Sequence, residues 1–216
     1  MRPHSASRSP ARLLAAAALL AGALAPLGAV HAQTAGAPAA SAPAAAPLAT
    51  TPTTVILVRH AEKAAVPGDD PPLSPAGEAR SLALLDALRD AGVQAVVTTQ
   101  LQRTRLTAAP LARELGLTAE VVPVAGDAST HARQVAEYVL SRHAGRTVLV
   151  VGHSNTIPAI VTALGAGPTD PIDDASYDDL YVVTRSAAGP VRRVHVRYGV
   201  AAQTPTPGAM TPPQGR

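Results

Sequence analysis

The sequence predicts an α/β protein: a three-layer α/β/α sandwich whose central sheet is mostly parallel, with an antiparallel edge. Three observations predict it. Short, β-branched runs alternate with helical segments four times between residues 53 and 164, the pattern of a parallel sheet covered by helices on both faces. The runs VILV and VLVV are continuously apolar, as strands buried on both faces are. Two last strand-like runs, DDLYVVTR and VRRVHVRY, are joined across SAAGP, which suits antiparallel neighbours.

Taken in order, TTVILVRH is the first strand, and DDPPLSPAGEARSLALLDALRDAG contains the first helix. Ser74 is a good N-cap there, and Pro75 sits at the first helical position, where its missing N–H costs nothing. Leu82, Leu85 and Leu88, with Ala79, recur at helical spacing and read as the inward face, with Gly92 closing the segment. VQAVVTT is the second strand, LQRTRLTAAPLARELG the second helix, and LTAEVVPV the third strand. STHARQVAEYVLSRHAG is the third helix, RTVLVVGH the fourth strand and NTIPAIVTALG the fourth helix.

The flanks read differently. Arg2, Arg8 and Arg12 precede an apolar stretch, Leu13 to Val30, that is broken by Gly22, Pro26 and Gly28 and ends in Val30-His31-Ala32. This predicts a signal peptide over residues 1–32, hence a periplasmic or secreted protein with no stable membrane insertion after cleavage. Residues 33–52 are an Ala/Pro-rich linker and 199–216 a Pro-rich tail predicted to be disordered. The folded unit is placed at 53–198.

That unit holds all 15 acidic residues and 14 of the 18 Lys and Arg, so its net charge is −1. Neither the charge nor the aromatic content (no Phe, no Trp) suits nucleic-acid binding. The absence of Cys excludes disulfides, thiolate catalysis and Cys-based zinc sites.

In an open α/β sheet, ligands bind beyond the carboxyl ends of the strands. Four residues stand there at once. Arg59 and His60 end the first strand, Arg103 follows Thr98-Thr99 of the second, and His153 ends the fourth. Two guanidiniums offer forked donors to phosphoryl oxygens. A neutral imidazole can attack phosphorus, and a protonated one can stabilise the equatorial oxygens. The start of the fourth helix near Asn155 would add backbone N–H groups. An acid is needed for the leaving oxygen, and this chemistry calls for no metal and no cofactor.

The ordered segments V-R-H-A-E, L-S-P-A-G-E, T-T-Q-L-Q-R-T-R-L-T-A and V-V-G-H-S-N-T resemble the histidine phosphatase superfamily, in its phosphoglycerate-mutase-like branch 1. The resemblance spans about residues 54–164. It implies the phosphoglycerate mutase-like fold, His60 as the phosphorylated nucleophile, Arg59 and Arg103 as phosphate holders, and His153 beside the transferring group. The Arg-His-Gly-x-Arg-x-Pro and His-Asp motifs of the acid phosphatase and phytase branch are absent, and Ala61 stands where Gly is commoner.

In the family the acid usually comes between the second Arg and the second His, which points to Asp127. Its competing use is as a cap of the third helix. Glu62 is the rival acid, or a partner of a site cation. Thr99 and Asn155 are expected to line the substrate site. His131 and His195 are expected to face solvent, His143 to suit a helix C-terminus, and Asp173, Asp174, Asp178 and Asp179 to form a solvated loop.

These readings make the chain an exported, metal-independent phosphatase acting on small phosphorylated substrates. The alternatives are a non-catalytic phosphate-binding envelope protein or, within the family, a phosphomutase or a phosphoprotein phosphatase.

Overall fold

A computed structural model describes residues 51–186 and 189–201. The predicted signal peptide, nearly all of the linker and most of the tail lie outside the described residues. Ten elements follow in chain order: β1 (Thr53–Arg59), α1 (Pro75–Leu88), β2 (Ala95–Thr98), α2 (Gln102–Glu114), β3 (Ala119–Val121), α3 (Ala128–Arg142), β4 (Thr147–Gly152), α4 (Thr156–Ala163), β5 (Asp179–Arg185) and β6 (Arg192–Arg197). Among the described residues no helix is long and apolar enough to cross a membrane.

The six strands form one sheet in the order β3-β2-β4-β1-β5-β6. The first four run parallel; β5 and β6 run antiparallel to their neighbours. Alternation along each strand divides the core in two. Val55 and Leu57 of β1, with Val148 and Val150 of β4, face α3 and α4. Ile56 and Val58, with Leu149 and Val151, face α1 and α2. The α/β/α layering read from the sequence is therefore present, with its antiparallel edge.

Register brings the loops together. Arg59 pairs with Gly152 across β1 and β4, and Thr98 pairs with Val151 across β2 and β4. Arg59-His60, Thr99 and His153 thus leave the sheet at one level. The His60 N–H donates to the Gly152 carbonyl at 2.9 Å, extending the β1–β4 ladder one residue into the loops.

The inward face of α1 differs from the sequence expectation. Gly77, Arg80, Ser81, Leu84 and Leu88 are buried, while Leu82 is exposed. A buried Arg80 fits this stripe because its guanidinium has a carboxylate partner, Glu62. Leu88 is buried and Leu85 packs against the core as the periodicity predicts, whereas Ala79 and Leu82 face outward and Leu84 takes the inward place.

Candidate active site

His60 is buried at the end of β1. Its Nδ1 lies 2.8 Å from the Ala61 carbonyl oxygen, which can only accept. Nδ1 therefore carries the proton, and Nε2 presents a lone pair. Burial, partly offset by that hydrogen bond, lowers the imidazole pKa to about 4, with Arg103, Arg59 and Lys63 adding repulsion. At neutral pH His60 is an uncharged base with its nucleophilic nitrogen free. The backbone that carries it is tethered too: the Ala61 N–H donates to Thr107 Oγ1 at 2.8 Å, and Thr107 donates to the Arg103 carbonyl at 2.7 Å. Thr107 thus ties the nucleophile's loop to the helix turn bearing Arg103.

Arg59 is buried, with Nη1 donating to the carbonyls of Asp173, Asp174 and Ser176 at 2.8–3.0 Å. Its guanidinium stacks over Tyr177 at 4.0 Å. Its Nε is buried with no protein partner. Arg103, near the start of α2, lies 3.7 Å from Asp70 through Nη1, and its Nε is also buried and unpartnered. Two orphaned guanidinium N–H groups are costly unless an anion completes them.

His153 sits with its ring centroid 5.3 Å from that of His60. Its Nε2 meets Thr99 Oγ1 at 3.2 Å. Desolvation, then repulsion from His60 and the arginines, lowers its pKa to about 3. Gln100, Leu101, Arg103, Val124, His153, Asn155 and Thr156 line a cleft of about 300 Å³. Side chains from the β2–α2 turn, the start of α2 and the β4–α4 turn therefore line the cleft, with His60 beside it at His153, a polar, electropositive surface suited to a tetrahedral oxyanion. Among the described residues, no three His, Asp or Glu side chains are grouped to hold a metal ion.

The profile of the histidine phosphatase superfamily (branch 1) matches residues 55–126. That match spans about a third of the chain and includes Arg59, His60 and Arg103. Solved structures with the same fold include mycobacterial hydrolase 2, at 16% identity and a TM-score of 0.54, covering 72% of this chain and 94% of that one. A mycobacterial glucosyl-3-phosphoglycerate phosphatase in complex with inorganic phosphate matches at 16% identity and a TM-score of 0.52, covering 70% and 99%. A putative phosphohistidine phosphatase SixA from Nakamurella multipartitia matches at 24% identity and a TM-score of 0.50, again covering 70% and 99%. No curated protein matches the chain.

The two candidate acids have other engagements. Asp127 caps α3: its carboxylate accepts from the Thr130 N–H at 2.7 Å and from Ser129 Oγ at 3.0 Å. Those bonds hold its pKa below the usual carboxylate value, so at neutral pH it has no proton to give. Glu62 is clasped by Arg80, whose Nε and Nη2 donate to its two oxygens at 2.7–3.0 Å. The clasp makes Glu62 a brace between the β1 loop and α1, not a free substrate ligand. Thr99 is buried and bonded to His153 and Thr104 rather than open to substrate. Asn155 is exposed on the cleft beside Arg103 and His153.

The helix start after Asn155 gives less than expected. The N–H groups of Thr156 and Ile157 bond back to the His153 carbonyl, so this turn fixes His153 instead of offering those donors. His131 is buried, not solvent-facing, and repels a charge on His153. Asp178 and Asp179 are buried against Arg197 at 2.6 and 3.5 Å, and Asp179 also meets His195 at 2.8 Å. His143 is a buried C-cap of α3, 3.3 Å from Glu120. Thr104 and Thr107 were missed in the sequence because mid-helix hydroxyls usually bond their own helix. Their three-residue spacing behind Arg103 was the available signal.

Proposed function

We propose that this chain is an exported histidine phosphatase that hydrolyses small phosphomonoesters through a covalent phosphohistidine on His60. One observation carries the reading. A neutral imidazole with its Nδ1 proton committed to a carbonyl lies within electrostatic reach of two arginines whose buried Nε groups lack partners. In the first step the His60 Nε2 lone pair forms an N–P bond as the P–O bond to the leaving group breaks. The Ala61 carbonyl stabilises the positive charge that the ring gains. In the second step water attacks phosphorus, the N–P bond breaks, and inorganic phosphate and neutral His60 return. Arg59 and Arg103 hold the phosphoryl oxygens throughout.

Hydrolysis is favoured over mutase chemistry because between α2 and β4 the chain builds only the three-residue β3, a short loop and α3. No lid is formed there to retain an intermediate against water. The engagement of both Asp127 and Glu62 favours substrates whose leaving group departs without a carboxylic acid, such as an aryl phosphate or a phosphorylated imidazole. Export rests on Arg2, Arg8, Arg12, the apolar stretch from Leu13 and the Val30-His31-Ala32 site.

The test is hydrolysis of p-nitrophenyl phosphate by the full chain in excess EDTA, with His60→Ala beside it. Turnover that survives chelation and falls by about 10³-fold or more in the variant is the expected result. Equal rates in the two proteins would overturn the reading. Phosphate binding without a phosphoenzyme would instead indicate the non-catalytic binding protein.

A further inference from the structure

The hydroxyls behind His153 form a chain whose proton directions can be counted. A threonine hydroxyl has one proton to donate and two lone pairs to accept with. Thr104 Oγ1 lies 2.8 Å from the Leu101 carbonyl and 3.2 Å from the Thr99 carbonyl. Carbonyls only accept, so the Thr104 proton is used there. Thr104 must then accept in its 3.0 Å contact with Thr99 Oγ1, as it also does from the Thr99 N–H at 3.2 Å. Thr99 is therefore the donor to Thr104, and its single proton is used. Towards His153 Nε2, at 3.2 Å, Thr99 can only accept, as it also does from the Leu101 N–H at 3.4 Å. Every hydrogen and lone pair of the two hydroxyls is assigned, and His153 must carry its proton on Nε2.

Both threonines are buried, at 2% and 0% exposure, so water does not compete for these bonds. The other ring nitrogen, Nδ1, has no hydrogen-bond partner among the described residues, and His153 lines the cleft. In the neutral ring Nδ1 is a lone pair. A lone pair set against a phosphoryl oxygen is repulsive, whereas an N–H there is a charge-assisted donor.

We propose that Thr99 and Thr104 are positioning residues that fix the tautomer of His153, so that an oxyanion entering the cleft takes up one proton from the buffer onto His153 Nδ1. This rests on the phosphoryl-transfer reading of the site. The N–H bond formed on binding breaks when phosphate leaves, so the cycle is balanced. The charged and titratable groups facing His153 are Arg59 from β1, His60 directly after it, Arg103 from α2 and His131 from α3. All oppose its protonation in the empty site, and the incoming dianion reverses that balance. His60 keeps its nucleophilic lone pair because its own proton is held by the Ala61 carbonyl.

The experiment is titration calorimetry of the full chain with tungstate, a tetrahedral dianion, between pH 6.5 and 8 in two buffers of unlike ionisation heat. Uptake of about one proton per tungstate, and affinity falling about tenfold per pH unit, are expected. Thr99→Val frees Nε2 and lets the neutral ring carry its proton on Nδ1. Uptake should then fall towards zero and the pH slope flatten, with Thr99→Ser restoring both. Tungstate binding by the parent protein without proton uptake would overturn the proposal, whether or not the variants fold. Unchanged uptake in Thr99→Val would overturn it too, by placing the proton elsewhere. Either result leaves His60-dependent hydrolysis standing. Failure of the parent to bind tungstate at all would remove the oxyanion site on which both readings depend.

Discussion

At the scale of single residues, the chemistry depends on which atoms are already engaged. His60 is directed by one carbonyl, and Arg59 and Arg103 each keep one unengaged Nε. Asp127 is the opposite case, with both its bonds directed into the start of α3. Asp127→Ala is expected to lower the denaturant midpoint of unfolding while kcat/KM per folded molecule stays within about twofold. A loss of about 10² or more in kcat/KM with unchanged stability would restore Asp127 as the general acid. The sequence made Arg59, His60, Arg103 and His153 legible because each immediately follows a strand or opens the next helix. It did not distinguish a catalytic carboxylate from a capping one, since both uses place Asp in the same loop. Nor did it show the engagement of Glu62, which requires Arg80, eighteen residues on, to turn inward.

At the scale of elements, α1 is as much a part of the site as the strands are. The Ser74 N–H donates to the Glu62 carbonyl at 2.9 Å, and Ser74 Oγ caps the helix through the Gly77 N–H at 3.2 Å. Gly77 faces that same carbonyl so closely that a Cβ would overlap the Glu62 oxygen and crowd its backbone. Backbone cannot yield as a flexible side-chain tip does. Gly77→Ala is therefore expected to displace the loop carrying Glu62, two residues beyond the nucleophile. We expect a destabilisation of about 1–3 kcal/mol and a drop in kcat larger than any change in the phosphate dissociation constant. Unchanged unfolding and kinetics would show that the contact is slack. Helix existence was readable from Ser74, Pro75 and the apolar periodicity. The inward face was not, because a buried arginine contradicts hydrophobic patterning unless its partner is known.

At the scale of the whole molecule, several imidazoles are folded into the interior uncharged. His60 and His153 have folded pKa values of about 4 and about 3, against about 6.5 for an unfolded chain. Between these limits the unfolded state binds more protons than the native one, so stability rises with pH. It is lost progressively as pH falls below about 6.5 and levels off only below about 3. Denaturant midpoints should fall between pH 7 and pH 4.5, and His153→Gln should flatten that slope. A flat midpoint in the parent protein would mean that both rings titrate in the folded state as they do in the unfolded one. The layered fold was readable because four βα repeats leave few alternatives. The burial of Asp178 and Asp179 was not, because it depends on Arg197 arriving from the adjacent antiparallel strand. The segment that leads into those aspartates also holds Arg59, through three main-chain carbonyls of Asp173, Asp174 and Ser176. Carbonyl oxygens are common to every amino acid. Point changes that preserve the path of this segment can therefore alter the wall beside the reaction centre without releasing the arginine, leaving selectivity free to diverge while the catalytic apparatus stays fixed.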